Sequence, residues 1–296
     1  MLFGLFKKKS PSKDSNCSEL INPDIREKTS NNLSSPISVS ISTNPGCIRD
    51  VNEDNFFVSN VGSKPCPAFS CNAVVNENNI RFFAVFDGMG GEAFGEEASN
   101  IASGTLAEFS ANYHERCNEE LDIIEMIKQF VSLANNRICE MIAQKKCNRS
   151  GCTMALIVLW REMVYAFSIG DSRIYRCHNN GLEQVSEDQT LAIKKLKANI
   201  YTEDEARNSP DAHKITSYIG LDSHGVGVPY HAYEPLPFAE SILLLCSDGL
   251  TDMCADDEIK SILLSDDDTP AKSLVELAIK NGGEDNITCI VIKSDD

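Results

Sequence analysis

Five aspartates stand at or near the ends of short apolar runs, and this placement restricts the possible fold more than any other feature of the chain. They are Asp54 before residues 55–58, Asp87 after 80–86, Asp171 after 164–169, Asp248 after 242–246 and Asp285 before 287–292. Apolar runs of this length between polar turns are typical of buried strands. Because strand starts lie beside strand ends in an antiparallel sheet, all five carboxylates could share one rim.

Such a rim would concentrate negative charge. Neighbouring carboxylates repel one another and raise one another's pKa unless a cation lies among them. The segments that carry these acids contain no His, and all-oxygen ligation favours Mg²⁺ or Mn²⁺ over Zn²⁺. The glycine that follows Asp87 lets the backbone approach an ion, so the Gly88 carbonyl is a further candidate ligand. The pattern therefore predicts a divalent metal site.

The other elements favour an α+β fold. Residues 92–111 and the stretch from Leu121 onward have apolar residues at steps of three and four, which predicts two amphipathic helices. Residues 152–159 and 164–169 predict a hairpin, and residues 257–264 and 270–280 predict two more helices. Residues 61–79 are expected to form a long surface loop, and the polar stretch 188–237 is a candidate functional insertion.

Composition restricts partners and location. There are 27 Lys and Arg against 44 Asp and Glu, for a net charge of −17, which opposes binding to nucleic acid. The 12 irregularly spaced cysteines are expected to be reduced thiols, which indicates a cytoplasmic protein. No apolar stretch is long enough for a membrane span. Residues 1–36, a basic tail rich in Ser and Asn, are expected to be disordered, with the folded domain at 37–296.

Six motifs in order carry a family resemblance: RDVNED (49–54), FDGMGG (86–91), SGCT (150–153), GDSR (170–173), SDGL (247–250) and EDN (284–286). Together they closely resemble the metal-dependent type 2C serine/threonine protein phosphatases, the PPM family, over about residues 39–293. Met89, and a stretch that resembles a flap at about 188–232, are similar to the bacterial branch. The resemblance implies a four-layer α-β-β-α sandwich with two central, mainly antiparallel sheets.

The resemblance also implies roles for these residues. Asp87 would bridge two Mn²⁺ or Mg²⁺ ions, with further ligation at the two sites from Asp248 and Asp285, and from Glu53, Asp54 and the Gly88 carbonyl. Asp171 and Asp248 would share a third, weaker ion. Arg49 would hold the phosphate, so the implied catalytic residues are Arg49, Asp87 and Asp248. The implied reaction is hydrolysis of phosphoserine and phosphothreonine in proteins by a water activated between two ions, usually in opposition to a serine/threonine kinase.

Several alternatives stay open at this point. The fold could belong to a pseudophosphatase that binds phosphoproteins without turnover, or to a stress-response phosphatase that acts on an anti-sigma-factor antagonist. The chain lacks the Cys-x₅-Arg loop of cysteine phosphatases and the GxxxxGK[ST] loop of P-loop enzymes. Met89 cannot donate a proton to the leaving group. Arg173 is expected to organise Asp171 or a neighbouring acid, and the five histidines are expected to be surface or loop residues rather than ligands.

Overall fold

The apolar runs form strands that pair antiparallel throughout the part of the chain that the structure describes. The computed structural model describes residues 37–64, 66–75, 80–90, 94–114, 122–178, 181–221 and 227–294. The strands are β1 (Ile37–Asn44), β2 (Asn55–Val58), β3 (Gly62–Ser63), β4 (Phe69–Val75), β5 (Arg81–Phe86), β6 (Gly88–Gly90), β7 (Ser150–Cys152), β8 (Met154–Trp160), β9 (Met163–Ile169), β10 (Arg173–His178), β11 (Gly181–Gln184), β12 (His231–Ala232), β13 (Leu236–Pro237), β14 (Ile242–Cys246) and β15 (Ile287–Ser294). The helices are α1 (Phe94–His114), α2 (Ile123–Lys145), α3 (Leu191–Lys197), α4 (Glu203–Asn208), α5 (Asp248–Thr251), α6 (Asp256–Leu263) and α7 (Pro270–Lys280).

Two large sheets form the centre of the fold. The first sheet has the strand order β11-β10-β14-β15-β1-β4. The second has the order β12-β9-β8-β5-β2-β3, with β13 also paired to β9, and β6 and β7 form a separate two-stranded ladder. Neighbours in the sheets come from distant parts of the chain, since β1 pairs with β15. The strand ends that carry the acidic motifs are therefore brought together by tertiary pairing.

Three apolar cores separate four layers. The core between the two sheets includes Ile41, Phe56, Val85, Leu245 and Ile290. A second core joins the outer face of the second sheet to α1 and α2, and a third joins the first sheet to α6 and α7. Alternate residues of each strand point to opposite faces, so both faces of each sheet must be apolar where helices cover them. This arrangement confirms the predicted α+β fold with α-β-β-α layers.

Local sequence signals explain the long second helix. The side chain of Asp122 caps its start by accepting a hydrogen bond from the Glu125 amide at 3.0 Å. The residues that it buries recur at steps of three and four, from Ile127 to Met141. The helix ends at Lys145, and the next residue, Lys146, caps it with a left-handed φ of 56°. The predicted amphipathic helix is thus present and buries its apolar stripe against the second sheet.

The expectation of a long loop over residues 61–79 is wrong at β3 and β4, and residues 76–79 lie outside the described residues. Residues 69–75 form β4, an edge strand that pairs along its length with β1. Its outward positions, such as Ser70 and Asn72, are exposed, and the Ser70 hydroxyl lies 2.7 Å from that of Ser42. An edge strand with one open face needs no continuous apolar run, so its sequence resembles a loop.

Two other expectations concern the N-terminal tail and segments that could span a membrane. The tail predicted at residues 1–36 lies outside the described residues, and β1 begins at Ile37. Among the residues that are described, no helix combines the length and hydropathy needed to cross a membrane. The polar insertion after residue 188 contains the short helices α3 and α4, as its partly helical pattern predicts.

Candidate active site and metal centre

Strand pairing places the predicted acids at one end of the strands in each sheet. In the second sheet, Asn55 of β2 pairs with Phe86 of β5. Asp54 immediately precedes β2 and Asp87 immediately follows β5, so these two acids are neighbours across the strand pair. This is the antiparallel arrangement of starts and ends that the sequence predicts.

The first sheet contributes the other three acids. Arg173 at the start of β10 pairs with Cys246 at the end of β14, which brings Asp171 close to Asp248. Strand β14 also pairs with β15 through Cys246 and Cys289, and Asp285 lies just before β15. All three acids therefore lie at the same end of the strands of the first sheet.

Hydrogen bonds join the acid-bearing strand ends of the two sheets. The Ser247 hydroxyl, at the end of β14, donates to Asp54 Oδ2 at 2.7 Å. The Glu53 amide donates to Asn286 Oδ1 at 2.7 Å, and the Asn286 side-chain amide donates to the carbonyls of Pro45 and Val51. Each contact links the segment before β2 to strands of the other sheet or to the neighbouring loop. Together they hold Asp54 beside the segments that carry Asp248 and Asp285.

A third link lies next to Asp87. The Thr153 hydroxyl accepts a hydrogen bond from the Asp87 amide at 3.0 Å, and it lies 2.6 Å from the hydroxyl of Ser172. The Thr153 amide in turn donates to the Asp87 carbonyl at 2.8 Å. Asp87 is thereby fixed between the second sheet and the start of β10, which follows Asp171.

The acids strongly perturb one another. Burial, followed by the charges of the other four acids, raises the pKa of Asp87 well above its usual range; these acids are Asp248, Asp54, Asp171 and Asp285. Burial and then the charges of Asp171, Asp252 and Asp285 likewise raise the pKa of Asp248. Burial raises the pKa of Asp54 to about 6 and that of Asp171 to about 7. The acids therefore lie near enough to interact electrostatically, and their roles as metal ligands stay a prediction.

The donor atoms of this cluster fit hard divalent cations. Asp54 Oδ1 is buried and has no hydrogen-bond partner within the described part of the chain, as expected for an oxygen reserved for an ion or water. At Gly88, an added Cβ would lie 2.3 Å from the Gly95 carbonyl oxygen and 2.5 Å from that of Glu53. Only glycine allows this close approach beside Asp87. The set is oxygen-rich and negatively charged, which suits Mn²⁺ and Mg²⁺.

Glu53 lies against the start of α1. An added Cβ at Gly95 would be 2.8 Å from a carboxylate oxygen of Glu53, and a hydrogen bond from the Gly95 backbone opposes the rise that burial causes in the pKa of Glu53. The positive end of a helix favours a carboxylate at this position. Glu53 therefore borders the cluster with part of its hydrogen-bonding capacity already used by the helix.

The two arginines of the motifs have different partners. Arg49 Nη2 lies 2.6 Å from Asp285 Oδ2, and the Arg49 side chain is 53% exposed. The guanidinium thus reaches the carboxylate cluster and remains open to solvent. Arg173 contacts both oxygens of Asp188 through Nε and Nη2, so it organises a neighbouring acid, one of the two alternatives expected for it.

Two residues of the site were missed in the sequence. His213 is exposed on the insertion after α4, and its Nδ1 lies 3.5 Å from Asp252 Oδ2. One ligand atom from each of His213, Asp248 and Asp252 lies within 4.8 Å of the others. His213 is a loop residue as expected, yet it borders the cluster. Asp252 could have been found, because a residue four positions after Asp248 lies on the same helical face.

The Protein phosphatase 2C family model matches residues 68–267. Among relatives, the serine/threonine phosphatase stp of Listeria welshimeri is 30% identical over 261 residues, which cover 85% of this chain and 93% of that protein. The serine/threonine protein phosphatase PstP of Mycobacterium tuberculosis is 29% identical over 222 residues, covering 73% of this chain and 41% of PstP.

Solved structures agree with these sequence matches. The M. tuberculosis phosphatase PstP/Ppp superposes with a TM-score of 0.70 at 26% identity, covering 88% of this chain and 100% of that one. A structure of the PstP catalytic domain in complex with two manganese ions has a TM-score of 0.68 at 26% identity, with the same coverage. The chain belongs to the protein phosphatase 2C family.

Proposed function

We propose that this chain hydrolyses phosphoserine and phosphothreonine monoesters in proteins with the aid of Mn²⁺ or Mg²⁺. The observation that supports this most strongly is the convergence of five acids from both sheets in one cluster, where burial and mutual repulsion raise the pKa of Asp87 and Asp248. Maintaining such a cluster is costly in the absence of cations. The named relatives, which are serine/threonine phosphatases, support the same activity.

The cluster would hold two ions at adjacent positions. Asp87 would contact both, Asp248 and Asp285 would complete one site, and the Gly88 carbonyl with Glu53 and Asp54 would serve the other. When bound, the ions supply positive charge that lowers the pKa of the attacking water and offsets the charge of the phosphate. Asp171 and Asp248 would share the third, weaker site.

The hydrogen bonding of Asp54 suits its carboxylate to bind an ion in a fixed orientation. Oδ2 accepts the hydrogen bond of the Ser247 hydroxyl, which fixes the rotation of the carboxylate. Oδ1 is buried and has no hydrogen-bond partner among the described residues. Such fixed orientation of ligand oxygens by hydrogen bonds is the usual role of residues that surround a metal site.

Arg49 would bind the phosphate of the substrate. Its planar guanidinium can donate to two phosphate oxygens at once. In the free protein one of its nitrogens contacts Asp285, so the side chain is already directed to the cluster while half of its surface remains accessible. The same contact aligns the phosphate-binding group with a candidate metal ligand.

The substrates are phosphorylated proteins, and the usual role of such enzymes makes a serine/threonine kinase the opposing partner. We propose a cytoplasmic location. The ten cysteines of the described residues are all free thiols, and reduced thiols, which are typical of that compartment, support this proposal.

A metal-dependent assay tests the proposal. The wild type should hydrolyse p-nitrophenyl phosphate and phosphothreonine peptides with Mn²⁺ or Mg²⁺ and should lose this activity in EDTA. Asp248→Asn should reduce kcat by roughly a hundredfold or more, and titration calorimetry should show weaker Mn²⁺ binding. Asp266→Asn, at an exposed position, is the matched control and should behave as the wild type.

Either of two outcomes would contradict the assignment. Undiminished activity in EDTA would exclude the metal-dependent reaction. Mn²⁺ binding without any turnover by the wild type would instead favour a phosphoprotein-binding pseudophosphatase.

A further inference from the structure

Two exposed arginines are stacked on aromatic rings without an acidic partner. Arg149 Cζ lies 4.9 Å from the centre of the Tyr218 ring, and Arg161 Cζ lies 4.3 Å from that of Trp160. Within the described residues neither guanidinium pairs with a carboxylate, whereas Arg49 does. In a chain with a net charge of −17, an unpaired exposed guanidinium is an available contact for an anionic group of a partner.

Arg149 lies at the end of the β6–β7 strand pair, which starts next to Asp87 at the active site. It immediately precedes β7, which pairs with β6 in the register Gly88 with Cys152 and Gly90 with Ser150. Asp87 directly precedes β6 and exchanges hydrogen bonds with Thr153. Arg149 lies four positions before Thr153, which at about 3.3 Å per residue corresponds to about 13 Å. The guanidinium is therefore within reach of a peptide bound at Asp87.

The stacking contact restricts the motion of Arg149. An added Cβ at Gly151 would be 2.5 Å from Cδ2 of Tyr218, so the ring lies directly on β7. The next residue, Ile219, exchanges two backbone hydrogen bonds with Cys152, at 2.9 and 2.8 Å. Because the ring is fixed to β7, the stacked guanidinium loses less conformational freedom when it binds an anion.

We infer that Arg149, held on Tyr218, is a specificity residue that binds an anionic group of the protein substrate about four residues from the phosphorylated residue. The anion would be an acidic side chain or a second phosphate. The spacing follows from the distance to Asp87, because an extended peptide also advances about 3.3 Å per residue. This inference rests on the proposed function, since the reacting phosphate must lie at the carboxylate cluster.

Arg161 is a natural control for this role. It has the same kind of stacking contact and is also exposed. It follows β8, which runs from Met154 to Trp160 and leads away from Thr153. Arg161 lies eight positions after Thr153, so a peptide bound at Asp87 would have to extend about 26 Å to reach it.

The test compares short alanine-rich phosphothreonine peptides. One carries glutamate four residues before the phosphothreonine, one carries it four residues after, and one has none. For the wild type we expect kcat/KM to be about fivefold higher for one of the glutamate peptides, the effect of a good exposed ion pair. The difference should appear mainly in KM and should weaken at high salt.

Substitutions then test whether Arg149 causes the preference for the glutamate peptide. Arg149→Ala should remove it, measured as the ratio of kcat/KM for the glutamate peptide to that for p-nitrophenyl phosphate, whereas Arg161→Ala should retain it. Tyr218→Phe should keep the preference and Tyr218→Ala should reduce it. An unchanged ratio in Arg149→Ala, or no preference in a wild type that hydrolyses p-nitrophenyl phosphate normally, would overturn this inference alone. Failure of the wild type on p-nitrophenyl phosphate would overturn the proposed function together with it.

Discussion

The charge of Asp54 should destabilise the protein when no metal is bound. This carboxyl is fully buried, and burial raises its pKa from 3.8 to about 6. A folded-state pKa above the unfolded value means that protonation favours the folded state. The resulting stability is fully present below about pH 4 and is lost as the pH rises through about 6. Asp171, whose pKa rises to about 7, acts in the same direction.

The substitution Asp54→Asn removes this charge while keeping the shape. The rise in pKa corresponds to about 3 kcal/mol at high pH. The new amide NH₂ replaces Oδ1, which has no partner among the described residues, and an unsatisfied buried donor has a cost of its own. We therefore expect the metal-free variant to be more stable than the wild type by about 2 kcal/mol at pH 8, or about 4 °C in Tm.

Calorimetric unfolding in EDTA at pH 8 and pH 5 checks this expectation. At pH 5 the folded wild-type carboxyl is mostly protonated but the unfolded one is still ionised, so about 1.4 kcal/mol of the penalty is relieved and the difference between the two proteins should fall below about 1 kcal/mol. Added Mn²⁺ at pH 8 should raise the Tm of the wild type more than that of the variant. Asp266→Asn serves as the exposed control. A variant less stable than the wild type at pH 8, or a difference that does not shrink at pH 5, would refute the reasoning.

Three further predictions concern residues around the cluster. Asn286→Ala should lower the free energy of unfolding by about 2–4 kcal/mol, because three hydrogen bonds to backbone groups are lost, and denaturant titration measures this. Gly88→Ala should weaken Mn²⁺ binding in calorimetry, because its Cβ meets backbone atoms, whereas Gly104→Ala has open space and should bind normally; equal binding by both would contradict the argument. Arg173→Ala should speed hydrogen exchange of the backbone over residues 187–221, since Arg173 anchors the start of that insertion. Arg137→Ala, which removes a more exposed ion pair elsewhere, should leave exchange there unchanged.

Much of the site was predictable because its residues lie at recognisable local positions. Each acid falls at the end of an apolar run, and strand alternation with antiparallel pairing places such ends at common edges. The turn at Gly88 and the oxygen-only donors also follow from residue type. Helix α2 was predictable for the same reason, since its cap at Asp122 and its apolar stripe are both local signals.

The missed features depend on partners that are distant in sequence. Arg49 has an acidic neighbour at Asp50, yet its ion pair is with Asp285. His213 borders the cluster only because the insertion after α4 folds toward Asp252. Strand β4 has no continuous apolar run and is recognisable only once β1 is present as its partner. Sequence by itself determined the α+β class and the identity of the clustered acids, because these depend on periodicity and on residue type at strand ends. The six motifs carried the family resemblance and the layers that it implies. Tertiary structure decided which side chains pair across the two sheets, since those contacts form only when segments far apart in the chain pack together.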